Sequence, residues 1–219
     1  VITPEQENGS GVDVCVLTSS AAQPLRLVLA GLVGELSVDS LRRAAAGTYS
    51  WVEDIIALLG ASRLNDEARA RKIIALQPDA ICVAGGADGG AEGPVLELVE
   101  TLALGAALTD PNSRPAIIYA GNSALRSKLR TLVGPDVPLI VVDGNVRPSL
   151  EMENIGPLQA ELEALHTTTK LAQIPGLGTC ASWSSVPVLS TARSFGQMVQ
   201  YLSMTKDLRS GALGVDAGA

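Results

Sequence analysis

The sequence predicts an α/β fold in which a Rossmann-like parallel sheet is covered by helices on both faces. Short apolar runs at 80–86, 116–122 and 138–145 alternate with amphipathic helical stretches. Strands that are apolar throughout are typical of parallel sheets buried on both sides. The composition agrees, because 47% of the residues are apolar and only 3% are aromatic. Such a bias favours helices packed closely on a sheet rich in Val, Ile and Leu.

The N-terminal part of the chain has a less regular pattern. Strand-like runs at 12–20 and 25–33 predict a hairpin, with a helix over 25–33 as the alternative. A helix is predicted over 38–46, with Ser37 as its N-cap. The stretch 49–59 is ambiguous between helix and strand, and its pattern slightly favours a strand.

The pattern becomes regular from residue 65 onwards. Helices predicted over 66–77, 94–108 and 123–134 separate the three apolar strands, and Asn65 is positioned to cap the first of them. The order is therefore βαβαβ, for which right-handed crossovers are expected.

The C-terminal third is predicted to be mainly helical. Helices over 157–172 and 187–206 flank a Gly/Ser-rich stretch at 175–185. The sequence thus predicts two parts. The first is an α/β domain over 1–150 with a parallel sheet and an N-terminal hairpin. The second is a helical segment over 151–219 that leads into a truncated phosphate-loop strand.

Charge and composition exclude several classes of function. The net charge is −7, and no basic cluster exists beyond Arg69, Arg71 and Lys72, so nucleic acid is not expected as a partner. No apolar run approaches the roughly 18 residues that span a bilayer, so no membrane partner is expected. Three Cys without CxxC spacing are typical of a cytoplasmic protein. His166 is the single His, so neither a zinc site nor a catalytic triad is predicted.

Three consecutive strands of the predicted sheet end in polar, Gly-containing loops. In a parallel sheet these carboxyl ends lie side by side, which is where ligands bind. Gly allows close approach of backbone amides, and a helix N-terminus favours anions. The alternative is that short turns need Gly and Asn for their backbone conformation alone. The candidate ligand-binding residues are Gly85, Gly86, Asp88, Gly89, Gly90, Gly121, Asn122, Ser123, Asp143, Gly144 and Asn145.

The last six residues, GVDAGA, form a different kind of motif. A strand that ends in D-x-G is typical of the phosphate loop of actin-like ATPases and sugar kinases, which would give Asp216 and Gly218 a partial role in binding nucleotide phosphate. An ordinary strand-to-turn ending is the alternative. The GGADGG loop lacks the GK[ST] ending of a P-loop and the spacing of a dinucleotide fingerprint.

Several segments together resemble one known family. The sequence is similar to the accessory proteins encoded beside adenosylcobalamin-dependent glutamate mutase, called MutL or GlmL and unrelated to the mismatch-repair protein of that name. The AGGADGG loop is the strongest match, although the family usually has Thr where this chain has Ala87. The resembling segments are 19–45, 78–90, 115–122, 143–157 and 211–219.

The resemblance implies a piece of an actin-like ATPase architecture that assists, by reactivation, a mutase whose subunits are its partners. It implies ATP and Mg²⁺ in the full-length protein. The chain begins at Val1 without Met, lacks the family's N-terminal phosphate loop and ends before the second loop is complete. A non-catalytic fragment with no tightly bound cofactor is therefore predicted. A small-molecule-binding regulatory module and part of a sugar-kinase-type enzyme stay open as alternatives.

Overall fold

The computed structural model of the protein describes residues 6–59, 64–206 and 211–215. The chain divides into two compact units. One is Leu25–Leu162, and the other combines residues from 1–24 with residues from 163–219. The predicted division near residue 150 stays a prediction.

The described part of the chain contains both strands and helices throughout. The strands are β1 (Thr18–Ser19), β2 (Leu25–Val33), β3 (Ser50–Leu59), β4 (Ala80–Ala84), β5 (Ala116–Tyr119), β6 (Leu139–Val141) and β7 (Leu189–Ser190). The helices are α1 (Asp39–Ala46), α2 (Asp66–Leu76), α3 (Gly93–Ala107), α4 (Arg126–Val133), α5 (Gly156–Thr169), α6 (Leu177–Ala181) and α7 (Thr191–Thr205).

The unit Leu25–Leu162 is built on a five-stranded sheet in the order β3-β2-β4-β5-β6, with every neighbouring pair parallel. The chain runs from β2 to one side, forms β3, and then returns past β2 to form β4. The connections that leave β2 and β4 therefore start from adjacent strand ends and go in opposite directions. Such a reversal opens a crevice at the carboxyl edge of the sheet.

Helices cover both faces of this sheet. Val28, Ile81 and Ile117 belong to the core cluster on one face, which also contains apolar residues of α2, α3 and α4. The residues that alternate with them, such as Leu29 and Cys82, point to the opposite face and are fully buried. That second face carries α1 and the start of α5, where the Gln159 side chain donates to the Ala44 carbonyl. The predicted Rossmann-like α/β class is confirmed.

The N-terminal hairpin predicted over 12–33 is wrong. Thr18–Ser19 pairs in parallel with Leu189–Ser190, whereas Leu25–Val33 pairs in parallel with both β3 and β4. The physical reason is burial, because seven of the nine residues of β2 are buried and they include side chains on both faces of the sheet. A strand of this kind needs neighbours on both sides, which a hairpin partner alone does not provide.

Of the predictions for the segments that follow β2, some are confirmed and one is wrong. The strand favoured over 49–59 is confirmed. Ser37 is not an N-cap, because it lies within a π-helical turn at Gly34–Val38, where its hydroxyl donates to the Val33 carbonyl. Asn65 does cap α2, since its Oδ1 accepts from the Ala68 amide at 2.8 Å.

In the second unit, β1 and β7 form a two-stranded parallel sheet, and α7 begins directly after β7. The Gly/Ser-rich stretch at 175–185 contains the short helix α6. Residues 211–215 have no regular structure. Asp216 and Gly218 lie outside the described residues. Among the described residues, no helix combines the length and apolarity that crossing a membrane requires.

Candidate functional site

The loops that follow β4, β5 and β6 meet at the carboxyl edge of the sheet, as predicted. The Asp88 carboxylate joins all three. Its Oδ1 accepts from the Ser123 backbone amide at 2.9 Å and from the Asn145 side-chain amide at 3.1 Å. A single carboxylate therefore holds together residues that are separated by up to 57 positions in sequence.

Asn122 makes a second set of connections between the first two loops. Its fully buried side chain accepts from the Ala124 amide at 3.0 Å and from the Gly89 amide at 3.4 Å. The Ala124 bond caps a short 3-10 helix at Ser123–Leu125. The backbone carbonyl of Asn122 accepts from the buried Tyr119 hydroxyl at 3.1 Å. Asn122 thus links the first two loops through hydrogen bonds inside the protein.

Asn145 plays the same part for the third loop. Besides Asp88, its Nδ2 donates to the Gly86 carbonyl at 3.1 Å, and its Oδ1 accepts from the Arg147 amide at 3.0 Å. The residue is almost fully buried. Since both ends of its amide are engaged within the protein, Asn145 positions the loops and has no free group directed at a ligand.

The structure explains why Gly occupies two positions of the site. Gly86 has a φ of +70°, a conformation that favours Gly. A Cβ on Gly121 would lie 2.9 Å from both the backbone nitrogen and the backbone oxygen of Gly85, and 2.8 Å from the Tyr119 hydroxyl. The loops approach so closely at Gly121 that only a hydrogen atom fits there.

Asp143 does not join the cluster. Its side chain is fully exposed, and its Oδ1 lies 3.2 Å from the Arg126 guanidinium in a surface ion pair. Gly144 has a φ of +144°. Of the third loop, only Asn145 is brought to the shared site.

The GGADGG turn uses its amides internally. The Asp88 amide donates to the Pro148 carbonyl at 3.0 Å, and the Gly90 amide donates to the Ala87 carbonyl at 2.8 Å. The Gly89 amide is engaged by Asn122. An anion bound by these three amides would have to replace bonds that the fold already makes.

The same hydrogen bonds also affect the pKa of Asp88. Desolvation is the largest single influence and would raise the pKa of this carboxyl. The hydrogen bonds from the Ser123 amide and the Asn145 side chain, with the nearby Arg126 charge, outweigh it and lower the pKa. Asp88 is therefore held in its charged form.

A cavity of about 240 Å³ lies beside the cluster, between the residues that follow β2 and those that follow β4. It occupies the point where the strand order reverses. Sequence reasoning placed only Gly85, Gly86 and Asn145 here and missed the rest of the lining. The other lining residues are Leu32, Val33, Leu36, Ser37, Ala87, Ala91, Arg147, Ser149 and Leu150.

Arg147 connects this cavity to a polar network that has no signature in the sequence. Its guanidinium donates to the Leu150 carbonyl at 2.6 Å and to the Ser40 hydroxyl at 3.1 Å. Glu153 accepts from Ser40, Arg43 and Arg147. The hydrogen bond from Arg43 is the largest cause of the lowered pKa of Glu153. The network fixes the segment that closes one side of the cavity.

Among the described residues, no three His, Cys, Asp or Glu side chains are grouped so that they could hold a metal ion. The edge of the sheet therefore offers a braced loop cluster and an adjoining small cavity.

Comparison with known proteins identifies the family. A family model described as MutL protein matches residues 2–219. This chain belongs to the MutL protein family. The family is the one that the sequence resembles, the glutamate mutase accessory type. Protein MutL from Clostridium tetanomorphum is 23% identical over 193 residues, which cover 88% of this chain and 39% of that relative. The chain therefore spans about two fifths of the length of that relative. No solved structure matches the chain, and the actin-like architecture stays a prediction.

Proposed function

We propose that this chain is part of a cytoplasmic accessory factor that associates with an adenosylcobalamin-dependent glutamate mutase and helps to reactivate it. The match of the MutL family model over residues 2–219 supports this proposal. The full-length protein would use ATP and Mg²⁺. The mutase subunits would be its partners.

The geometric observation that carries a binding role is the cavity of about 240 Å³ at the reversal of strand order. In open α/β sheets, ligands bind in the crevice outside the carboxyl ends of the strands at such a point. The braced loops around Asp88 give this cavity a rigid side, which reduces the entropy that a ligand must offset on binding.

Three amides of the GGADGG turn and the Asp88 carboxylate do not favour the phosphates of ATP. The amides of Asp88, Gly89 and Gly90 donate within the protein, and the Asp88 carboxylate would repel an anion. We therefore assign phosphate and Mg²⁺ binding to the terminal loop with Asp216 and Gly218, completed by a second loop elsewhere in the full-length protein.

The cavity itself supports the second candidate function, a small-molecule-binding module. Leu32, Val33, Leu36 and Leu150 contribute apolar surface, and the Asn145 side chain is already hydrogen-bonded. These properties favour an uncharged ligand with an apolar face. A sugar-kinase-type enzyme is less well supported, because a sugar needs several free hydrogen-bonding groups.

The accessory role is tested by phosphate release from the native-length protein with Mg-ATP, alone and with inactivated mutase holoenzyme. We expect turnover that Asp216→Ala lowers at least about 100-fold, the scale of losing one preorganised group. The 219-residue chain alone should release no phosphate. Robust turnover by that chain would contradict the assignment of the phosphates to two loops.

The binding role is tested separately with the native-length protein by filling the cavity. Ala87→Leu places a larger side chain in its lining, and Ala124→Leu makes the same change at an exposed position of the same edge. We expect Ala87→Leu to abolish mutase reactivation and Ala124→Leu to preserve it, with phosphate release unchanged in both. Equal reactivation by the two variants would remove the cavity from the proposed function.

A further inference from the structure

The outer face of the unit Leu25–Leu162 carries a groove that no part of the proposed function uses. The helices α2 and α3 cross closely, since a Cβ on Gly105 would lie 3.0 Å from the Ala70 carbonyl oxygen. Beside this crossing lies a groove of about 680 Å³. It is lined by Asp66, Glu67, Ala70, Arg71, Ile74, Glu97, Glu100, Thr101, Leu104 and Leu108.

One end of the groove is apolar and exposed. Leu104 and Leu108 are 57% and 62% exposed, and Ile74 is 36% exposed. Leu104 lies on α3, and Leu108 is its C-cap residue four positions later, so the two lie on the same side of that helix. A contiguous apolar surface within a groove is typical of a protein-interaction site, in contrast to apolar residues scattered singly.

The other end of the groove is acidic. Both helices connect parallel strands of one sheet, so they run in the same direction, and the four carboxylates of the lining lie between the N-termini and the midpoints of the helices. Asp66 and Glu67 stabilise the first turn of α2 and pair with Arg69 and Arg71.

The two carboxylates on α3 have no such explanation. Glu97 and Glu100 lie beyond the first turn of α3, are exposed, and pair with no cation in the described part of the chain. At (i, i+3) spacing they are neighbours on the helix surface, which is unfavourable for like charges. Among the described residues, these two negative charges at this end of the groove are therefore unpaired.

We propose that the groove between α2 and α3 docks a helical segment of a partner protein, with Lys or Arg at one end and large apolar residues at the other. The complementary charges would meet Glu97 and Glu100, and the apolar residues would cover Leu104, Leu108 and Ile74. The stretch from Glu97 to Leu108 is about 16 Å long at 1.5 Å per residue, which corresponds to a helix of about three turns. A second copy of this chain is disfavoured, because its net charge of −7 would bring like charge to an acidic groove.

The probe is a fluorescein-labelled helical peptide of about 14 residues with Lys in one half and Leu in the other. A matched peptide carries Glu in place of Lys. Fluorescence anisotropy with the native-length protein should show saturable binding of the Lys peptide that weakens with added salt, because exposed charges are screened. The Glu peptide should bind at least about tenfold more weakly, a difference of about 1.4 kcal/mol.

Two pairs of substitutions separate the two ends of the groove. Glu97→Lys with Glu100→Lys, and independently Leu104→Ser with Leu108→Ser, should each raise the Kd of the Lys peptide at least about tenfold. The control is Asp136→Lys with Glu151→Lys, which makes the same change in net charge at exposed positions outside the groove. Its Kd should stay within about twofold, well below the tenfold that corresponds to 1.4 kcal/mol.

Several results would overturn the proposal. The control pair could weaken binding of the Lys peptide as much as the Glu97 and Glu100 substitutions do, or the two Ser substitutions could leave its Kd unchanged. The Glu peptide could bind as tightly as the Lys peptide, or the Lys peptide could show no saturable binding. Sedimentation that shows dimers of the native-length protein, abolished by the two Ser substitutions, would assign the groove to a second copy. The outcome does not depend on phosphate release or mutase reactivation, so the proposed function can fail while this proposal stands.

Discussion

At the carboxyl edge of the sheet, the side chains of Asp88, Asn122 and Asn145 hydrogen-bond to neighbouring loops. Along the α2–α3 groove of the same unit, Glu97 and Glu100 have no ion-pair partner among the described residues, beside exposed leucines. The first region uses its polar groups to hold the fold together. The second leaves Glu97 and Glu100 without a described ion-pair partner, at some cost in self-repulsion. Substitutions should therefore change mainly stability at the edge and mainly binding at the groove.

The largest expected effect comes from Gly121→Ala. The new Cβ would lie 2.9 Å from the backbone nitrogen and oxygen of Gly85, which cannot move without disturbing β4. We expect a loss of about 3 kcal/mol or more in the free energy of unfolding, at the upper end for overpacking. Urea denaturation followed by circular dichroism measures it.

Gly93→Ala is the matched control for this substitution. A Cβ at Gly93 meets nothing within 4 Å, and the residue begins α3. The same change should shift stability by less than about 1 kcal/mol, because the helix preference for Ala opposes crowding of its Cβ against the following Pro94. If the two substitutions had equal effects, the edge would not be as tightly braced as the distances indicate.

Asn122→Ala should cause the second largest loss of stability. It removes the acceptor of the Ala124 and Gly89 amides from a fully buried position. Loss of a cap together with a second buried bond should cost about 2 kcal/mol. The control is Asn112→Ala, at an exposed position in another turn, which should change stability by less than about 0.5 kcal/mol. Thermal unfolding of both variants in parallel checks the difference.

Asp88 gives a smaller effect that depends on pH. Because Asp88 is exposed, solvent screening limits the expected loss for Asp88→Asn to about 1 kcal/mol. The folded-state pKa of Asp88 is lowered, so its stabilisation is fully present above the unfolded pKa of about 4. The stabilisation disappears as the pH falls through the folded-state pKa.

Unfolding free energies of the wild type and Asp88→Asn, measured from pH 3 to pH 7, test this dependence. The two curves should be separated at neutral pH and should converge at the acidic end. Asp143→Asn, which alters an exposed surface ion pair of the same edge, should stay close to the wild type throughout. A gap for Asp88→Asn that widened towards low pH would contradict the role given to the Ser123 and Asn145 hydrogen bonds.

The sequence predicts those features of the structure that depend on residues close together in the chain. The strands at 80–84 and 116–119 are apolar throughout, and the cap at Asn65 depends on a neighbour three residues away, so each was predictable. The partners of Leu25–Val33 are set by tertiary burial. Local alternation therefore suggested a hairpin where the fold has a central strand.

The candidate site divides in the same way. Gly, Asn and Asp at strand ends predicted the convergence of three loops, but not that their polar groups would bond to one another. Arg147 and Leu36 line the cavity through the order of the strands, which no short motif encodes. The α2–α3 groove had no motif at all. It exists because residues 23 or more positions apart, such as Glu97 and Ile74, come together on neighbouring helices.

The smallest expected effect is also the sharpest test of the difference between the two regions. Glu97→Gln with Glu100→Gln removes two like charges at (i, i+3) spacing on α3 and breaks no described ion pair. Stability should rise by about 0.2–0.5 kcal/mol at low ionic strength. The gain should shrink in 1 M salt, where the Debye length is only about 3 Å.

Glu67→Gln is the control, for which the expected change in stability has the opposite sign. It breaks the (i, i+4) pair with Arg71 at 2.6 Å and should lower stability by a similar amount. Urea titrations at both salt concentrations measure these differences. If the Gln pair instead lowered stability by more than about 1 kcal/mol, Glu97 and Glu100 would be structural like Asp88, and the groove would lose the unpaired charge on which its docking role depends.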